Sequence, residues 1–326
     1  MVAPSSIPSL VPHGRTARRL EWRFLPVHVR RLVEQRCGSP VVEAISQGGG
    51  FTPAFASVLV CADGSRHFVK AASVQAQRAF AGSYRAEART LAALPDGVPA
   101  PALRWVHEDD EWVALGLEHV EARTPGRPWD TADLARCVDA LEQVAGALTP
   151  PPGRLLSGSG PAALADDLAA APGYWEVPRV AAVAFPLLAE RREQAARLAA
   201  GFGAATAGST LVHTEVRDDN LLLASDGRTL VCDWAWPALG AAWVDTVLLM
   251  IGPRGDGLDV DEALAGARVT RDVRPSDVDA LLALVTGMFL HSATMPVPTT
   301  SPHVREAQRW QAEVCWSWLC ERRGWR

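Results

Sequence analysis

The chain has 326 residues, of which 48% are hydrophobic and 21% are charged, and its mean hydropathy is +0.03. This composition excludes a disordered or fibrous protein, because it holds enough apolar side chains to fill two packed units. Acidic residues (37) outnumber basic residues (32), so the net charge of −5 provides no electrostatic footprint for nucleic acid or an anionic membrane. A small-molecule or protein partner is therefore the better expectation, with no binding of nucleic acid or membrane. We further expect a monomer or homodimer.

The cysteines and the apolar runs indicate the compartment. Six cysteines are scattered without paired spacing, which favours reduced thiols over a disulfide framework or a thiolate zinc site. No apolar run reaches the roughly 18–20 residues that a bilayer span needs. Arg15, Arg18 and Arg19 near the start are not followed by the apolar stretch of a signal peptide. The sequence therefore predicts a cytoplasmic protein.

Three β-rich runs, at 41–46, 54–60 and 66–71, predict an antiparallel meander near the start of the chain. The first connection contains Gly48, Gly49 and Gly50. Consecutive glycines let the backbone approach a ligand closely and present N–H groups to phosphate oxygens, although a flexible hairpin tip has the same composition. These glycines are therefore candidate nucleotide-binding residues.

The third strand carries Lys70, which is the only lysine among the 32 basic residues. Arginine replaces lysine readily on a surface, but a compact ammonium reaches crowded places that the wider guanidinium does not. Lys70 is either a chance survivor or a functional residue, and its neighbourhood favours the second. A helix predicted at 84–94 places Glu87 17 residues after the lysine (87 − 70), where its carboxylate either holds the ammonium or faces solvent.

After a further strand at 112–120, the pattern becomes rich in alanine and leucine and predicts helices. The expected fold class is α+β, with a small antiparallel N-terminal lobe at 1–121 and a larger, mainly helical C-terminal lobe at 122–326. The predicted helices span 134–148, 180–200, 278–290 and 304–321.

Between these helices lies a polar cluster at 211–234. Apolar runs on both sides of Ser225, Asp226 and Gly227 predict a hairpin that brings Asn220, at the start of one strand, close to Asp233, at the end of the other. An amide oxygen beside a carboxylate suits Mg²⁺, which prefers oxygen ligands. Asn220 and Asp233 are therefore candidate metal ligands.

The order of these motifs resembles the protein-kinase-like fold, and specifically the aminoglycoside phosphotransferase family of small-molecule kinases. The resemblance runs from about residue 41 to residue 250, which is most of the chain. It rests on the glycine loop, the strand lysine, the helix glutamate, the seven-residue separation of a histidine from an asparagine, and an aspartate followed by an aromatic residue. The residues that carry it beyond the glycine loop are Lys70, Glu87, His213, Asn220, Asp233, Trp234 and a later Asp245.

The resemblance implies that the protein is an ATP-dependent phosphotransferase, or one that uses another nucleoside triphosphate, with Mg²⁺ as cofactor. Lys70 is then expected to contact the α- and β-phosphates and Glu87 to orient it. The adenine is expected to meet the backbone near Glu118 and Val120.

Within the expected catalytic loop, the resemblance gives each residue a role. His213 fixes the loop, Arg217 faces the transferred phosphate, and Asn220 and Asp233 hold the metal. Glu215 stands where the family has a catalytic aspartate that accepts the proton of the substrate hydroxyl. A carboxylate displaced by about 1 Å can cost on the order of 10²-fold in rate. An active kinase, a slow kinase and a regulatory nucleotide-binding pseudokinase therefore all remain open.

A metal-dependent hydrolase built on His213, Glu215 and Asp219 is a further alternative, although it leaves Lys70 and Asn220 unused. The acceptor is expected to be a small hydroxylated molecule. Acidic side chains of the helical part either attract a cationic aminoglycoside or face solvent, and late tryptophans either line a pocket or pack in the core. These residues are Asp166, Asp167, Asp259, Asp261, Glu262, Trp310, Trp316 and Trp318.

Overall fold

The computed structural model describes residues 6–158, 160–181, 183 and 185–326. These residues form an α+β fold in which a β-rich N-terminal lobe precedes a mainly helical C-terminal lobe, as the sequence predicts. None of the helices in these ranges combines the length and apolar character that a bilayer crossing requires.

The N-terminal lobe contains a five-stranded antiparallel sheet with the order β1-β2-β3-β5-β4. The three predicted strands of the meander are present within one or two residues. Strand β4 was not predicted, because its residues alternate between half-buried and exposed and include charged side chains. The strands are β1 (Val41–Ser46), β2 (Phe55–Cys61), β3 (Arg66–Ser73), β4 (Leu103–Glu108) and β5 (Trp112–Leu117).

Helix α1 (Val27–Cys37) and helix α2 (Arg78–Ala93) cover opposite faces of this sheet. Val69 and Ala71 of β3 pack in the cluster that contains α1, whereas Ala72 packs in the cluster that contains α2. Because successive side chains of a strand point to opposite faces, Lys70 lies on the α2 side. The sheet thus directs the single lysine towards the helix that carries Glu87.

The C-terminal lobe is built around two long antiparallel helices, α12 and α13, with shorter helices and three small strand pairings beside them. Its core includes the buried indoles of Trp175, Trp234 and Trp318. The elements in chain order are β6 (Ala122–Arg123), α3 (Thr131–Ala147), α4 (Gly153–Leu156), α5 (Leu164–Asp167), α6 (Pro178–Ala181), α7 (Leu188–Ala200), α8 (Phe202–Ala205), β7 (Thr210–Val212), β8 (Leu221–Ala224), β9 (Thr229–Val231), β10 (Ala238–Gly240), α9 (Val244–Leu249), α10 (Ile251–Gly255), α11 (Val260–Gly266), α12 (Pro275–Ala293) and α13 (Val304–Arg323).

The predicted helix at 180–200 is not continuous: its first two residues belong to α6, which ends at Ala181, and residues 182 and 184 lie outside the described residues. Helix α7 begins only at Leu188, and the preceding Leu187 has a φ of +62°, in the left-handed region. Pro186 lacks the amide hydrogen that a continuous helix needs, so an apolar helical pattern cannot continue through it. The other three predicted helices correspond to α3, α12 and α13.

All six cysteines are free thiols. Cys37 and Cys61 nevertheless lie together, and their Sγ atoms and a ring nitrogen of His67 are all within 4.8 Å of one another. Burial raises the pKa of the Cys37 thiol to about 12, which keeps it protonated at neutral pH. The sequence spacing did not indicate this grouping, because it depends on the pairing of distant segments.

Residues 6–20, which we call the N-terminal strap, connect the two lobes. At the C-terminal lobe, the Ile7 amide donates to the Gly255 carbonyl (2.8 Å) and the Trp310 indole donates to the Ile7 carbonyl (2.7 Å). At the N-terminal lobe, the Thr16 amide donates to the Gly48 carbonyl (2.9 Å). The strap therefore bonds to both lobes.

Candidate active site

The single lysine lies at the centre of a buried ion cluster. Its Nζ is 2.8 Å from both carboxylate oxygens of Glu87 and 3.0 Å from Oδ1 of Asp233. Lys70 is 8% exposed and Glu87 1% exposed. Three residues that the sequence singled out separately, from a strand, a helix and a distant hairpin, therefore meet at one point.

The charges of this cluster stabilise one another. Burial alone disfavours the ammonium, but the carboxylates of Asp233 and Glu87 hold the pKa of Lys70 well above its usual range. Burial likewise opposes ionisation of Asp233, yet the neighbouring ammonium keeps its pKa below the usual value. Lys70 and Asp233 are consequently both charged at neutral pH.

Strands β8 and β9 form the predicted hairpin, with Leu221 opposite Val231. At its base the Cys232 amide donates to the Asn220 carbonyl (2.9 Å), and Asp233 adopts a φ of +68°. The Asn220 side-chain amide donates to the Glu215 carbonyl (2.8 Å), which leaves the other side-chain atom, Oδ1, as an acceptor. A carboxylate and an amide oxygen at one hairpin base fit the oxygen donors that Mg²⁺ prefers.

His213 and Asp245 hold the loop that precedes Asn220. The Asp245 carboxylate accepts hydrogen bonds from the amides of His213 (2.7 Å) and Thr214 (2.9 Å). The His213 ring meets the Cys232 carbonyl through Nε2 (2.8 Å) and the Glu215 amide through Nδ1 (3.3 Å). Both ring nitrogens are engaged, so this imidazole is a scaffold in this arrangement and not a metal ligand.

Glu215 lines a cavity of about 540 Å³. Its carboxylate makes no ion pair or hydrogen bond with any residue in the described ranges. Burial raises the pKa of Glu215, and the nearby Arg217 opposes this effect only in part. An unpartnered carboxylate with a raised pKa beside a cavity is the arrangement expected of a proton acceptor.

The remaining acidic residues of the loop are paired. Arg217 bonds to both oxygens of Asp219 (2.9 and 3.2 Å) and lies over the Phe51 ring, 5.5 Å from its centroid. Asp218 lies 3.4 Å from the His13 ring and 3.6 Å from Arg127. Neither aspartate is therefore positioned to replace Glu215.

The glycine loop lies above this loop. Gly50 has a φ of +75°, and a Cβ added at Gly48 would lie 2.8 Å from the Gly14 carbonyl oxygen, so both positions require glycine. The strap binds the loop carbonyls: Thr16 reaches Gly48 and Gly50, and Arg19 donates to the Gly49 carbonyl (2.6 Å). The amides of the three glycines make no hydrogen bond with the residues described here, so they are available to an anion.

Strand β5 ends at Leu117, three residues before the predicted end of the strand at residue 120. The predicted adenine contacts, Glu118 and Val120, therefore lie just after the strand. The Glu118 amide donates to the Ala102 carbonyl (2.8 Å), and its carboxylate accepts from Arg228 (2.9 Å). The Glu118 carbonyl and the Val120 amide make no hydrogen bond within the described segments. These two backbone groups remain available to a planar base.

Three solved structures of small-molecule phosphotransferases resemble this chain. A thermostable mutant of aminoglycoside phosphotransferase APH(4)-Ia, in a ternary complex with ADP and hygromycin B, matches with a TM-score of 0.60 at 13% identity, over 89% of this chain and 99% of that chain. Choline kinase LicA from Streptococcus pneumoniae gives 0.59 at 12% identity, over 88% and 99%. Macrolide 2'-phosphotransferase MphH from Brachybacterium faecium gives 0.57 at 18% identity, over 88% and 97%.

The chain has the protein-kinase-like fold of the aminoglycoside phosphotransferases. The predicted fold is thereby confirmed. No protein-family model matches the sequence, and the comparison with curated proteins finds no match.

In this kinase-like fold the cavity beside Glu215 lies among helices of the C-terminal lobe. Trp310 lines it, as one predicted alternative had it, together with Trp129 and Trp236, which the sequence analysis missed. The sequence did not indicate that Trp129 and Trp236 line this cavity, because they lie far along the chain from Trp310 and from each other. Trp316 and Trp318 are instead buried in the core.

Most of the acidic residues that were considered as binding sites for a cationic acceptor do not line this cavity. Asp259 caps α11, and Asp261 bonds to Arg322 (2.6 Å). Asp166, Asp167 and Glu262 are exposed, and of these only Asp167 lines the cavity. These carboxylates therefore do not converge on one acceptor site.

Proposed function

We propose that the protein transfers the γ-phosphoryl group of ATP, or of another nucleoside triphosphate, to a hydroxyl group of a small molecule. The observation that carries this proposal is the contact of the Lys70 ammonium with Glu87 and Asp233 in a chain with no other lysine. An ammonium fixed between a strand and a hairpin is placed to contact phosphate oxygens in the cleft between the lobes. The fold shared with small-molecule kinases supports the same reaction class.

The nucleotide is bound by groups from both lobes. The adenine edge meets the Glu118 carbonyl and the Val120 amide, and the free amides of Gly48, Gly49 and Gly50 meet the phosphates. Lys70 contacts the α- and β-phosphates, and Glu87 keeps its ammonium in place.

Asn220 and Asp233 would hold Mg²⁺, since together they offer an amide oxygen and a carboxylate. When bound, this ion neutralises the charge of the phosphate oxygens.

In the transfer step, the acceptor hydroxyl oxygen forms a bond to the γ-phosphorus while the bond to the bridging oxygen of the nucleoside diphosphate breaks. Glu215 accepts the hydroxyl proton, which its raised pKa favours. Arg217 faces the transferred phosphate, and His213 and Asp245 keep the loop in place. Positioning and charge neutralisation dominate this chemistry, so a glutamate in the base position is compatible with turnover.

The test combines nucleotide binding with phosphate transfer. We expect Mg²⁺ and ATP to raise the melting temperature, and γ-³²P-labelled ATP to label an acceptor from a panel of hydroxylated metabolites and antibiotics. Stabilisation by nucleotide without transfer to any acceptor would instead support the pseudokinase. If no nucleoside triphosphate stabilises the protein, the proposed function is wrong.

A further inference from the structure

The cavity beside Glu215 has predominantly apolar walls. Side chains from α5, α9, α10, α12 and α13, from β10 and from three loop segments surround its volume of about 540 Å³. This volume suits a drug-sized molecule. The wall residues that bear on its chemistry are Trp129, Trp236, Leu248, Val285, Met288 and Trp310.

The two arginines that line this cavity, Arg127 and Arg217, are already paired with aspartates. Arg127 bonds to Asp256 through two nitrogens (2.6 and 2.7 Å) and also faces Asp218. Arg217 is paired with Asp219 (2.9 Å). Both guanidinium groups are thus already bound by protein carboxylates, and neither is free to attract an anionic ligand.

Two lining carboxylates have no ion-pair partner in the described part of the chain. Asp167 is exposed at the rim, and Glu215 lies inside. Burying an ammonium without a partner is costly, so a molecule with several ammonium groups would leave most of them uncompensated in this cavity. Glu215 cannot serve as a permanent partner, because it must be free to accept the hydroxyl proton.

We propose that the acceptor is an uncharged, mainly apolar alcohol that fills this cavity with its hydroxyl group at Glu215; this inference rests on the proposed phosphotransferase function. The alcohol oxygen forms the new bond to the γ-phosphorus, the nucleoside diphosphate leaves with the electron pair of the broken bond, and the proton passes to Glu215. The product is a phosphate monoester with about two negative charges at neutral pH. Burial of this charge in an apolar cavity is unfavourable, which promotes release of the product.

The first experiment measures binding without turnover. N-Phenyl-1-naphthylamine, a neutral apolar fluorophore, is expected to bind the protein with increased fluorescence and to be displaced by 1-decanol but not by kanamycin, which carries several ammonium groups. The second measures ³²P transfer to 1-alkanols from hexanol to decanol. Because each buried methylene stabilises the complex, kcat/KM should rise about fourfold per methylene until the cavity is filled.

A matched pair of variants locates the site. Met288→Glu places a charge on the cavity wall and is expected to weaken fluorophore binding at least about tenfold. Ser276→Glu adds the same charge to an exposed position of the same helix and should change nothing. Both variants should keep the melting-temperature shift produced by Mg²⁺ and ATP, which shows that they remain folded.

Binding or labelling of kanamycin in preference to the fluorophore and the alkanols, with the nucleotide shift intact, would overturn the inference and leave the proposed function standing. Equal fluorophore binding by both glutamate variants would also overturn it. If the wild-type protein shows no nucleotide shift, the proposed function fails, and the claim about an acceptor fails with it.

Discussion

Shortening Glu215 tests the carboxylate that stands in the base position. Glu215→Asp keeps the charge but withdraws it by about 1.5 Å, the length of one carbon–carbon bond. The loop cannot follow, because the Asp245 carboxylate holds the amides of His213 and Thr214, and Thr214 has a φ of +70°. A misplacement of about 1 Å costs on the order of 10²-fold, so we expect kcat to fall about 10²-fold. Glu215→Gln, which cannot accept the proton, should cost up to about 10⁴-fold.

The assay is the initial rate of ³²P transfer as a function of pH. Glu215 must be ionised to accept a proton, and its raised pKa places the acid limb of the rate profile above the ordinary value for glutamate. The rate should therefore fall as pH drops through this raised pKa, and the glutamine variant should lose the limb. An unchanged kcat in Glu215→Gln, with the acid limb intact, would refute the role of this carboxylate as base.

Stability provides an independent control on the same residue. A carboxyl group whose pKa is raised on folding is favourable below its unfolded-state pKa and loses that contribution as pH rises through the folded-state pKa. Above this raised pKa the ionised Glu215 lowers the stability of the fold, so Glu215→Gln should raise the melting temperature there. Glu193→Gln, at an exposed helical position, should change neither rate nor melting temperature.

Three further changes test the surrounding contacts. Lys70→Ala leaves Glu87 without its partner, so it should lower the free energy of unfolding by about 3–5 kcal/mol and remove the nucleotide-induced melting shift. Arg89→Ala, on the exposed side of α2, should retain wild-type stability and the melting shift, and a full shift in Lys70→Ala would contradict the assignment. Asp245→Asn replaces one acceptor oxygen by a donor and should destabilise the protein by about 2–3 kcal/mol in urea denaturation while lowering kcat; wild-type values of both would show that the loop does not need this carboxylate. Asp218 raises the pKa of His13 through a hydrogen bond. The contact of His13 with Asp218 is therefore complete below the ordinary pKa of histidine and weakens as pH rises through the raised pKa. Amide hydrogen exchange in the strap, corrected for intrinsic rates, should increase over that range in the wild type but not in His13→Gln.

Two pairs of residues in the candidate site were predictable because they depend on local order, whereas the contact of Lys70 with Asp233 joins residues 163 positions apart. The lysine on a strand and the glutamate 17 residues later meet through one helix, and Asn220 meets Asp233 through a tight hairpin. Local patterns of this kind fix which side chains face each other without knowledge of the rest of the fold.

The remainder depends on long-range packing. Helix α1 buries only Val29 and Val33, too weak a periodicity to stand out in the sequence, and β4 shows no continuous apolar run. The pairing of Arg127 with Asp256, which occupies a guanidinium group at the cavity wall, joins residues 129 positions apart. No local pattern identifies such a partner in advance.

The N-terminal strap opposes separation of the two lobes, because it is hydrogen-bonded to both. A segment tied to Gly255 on one lobe and to Gly48 on the other has to detach at one end, or extend, whenever the lobes move apart. Each exchange of spent for fresh nucleotide that needs such a movement then includes the rupture of a few backbone hydrogen bonds, and the speed of exchange is tied to how firmly about fifteen residues hold their two anchors.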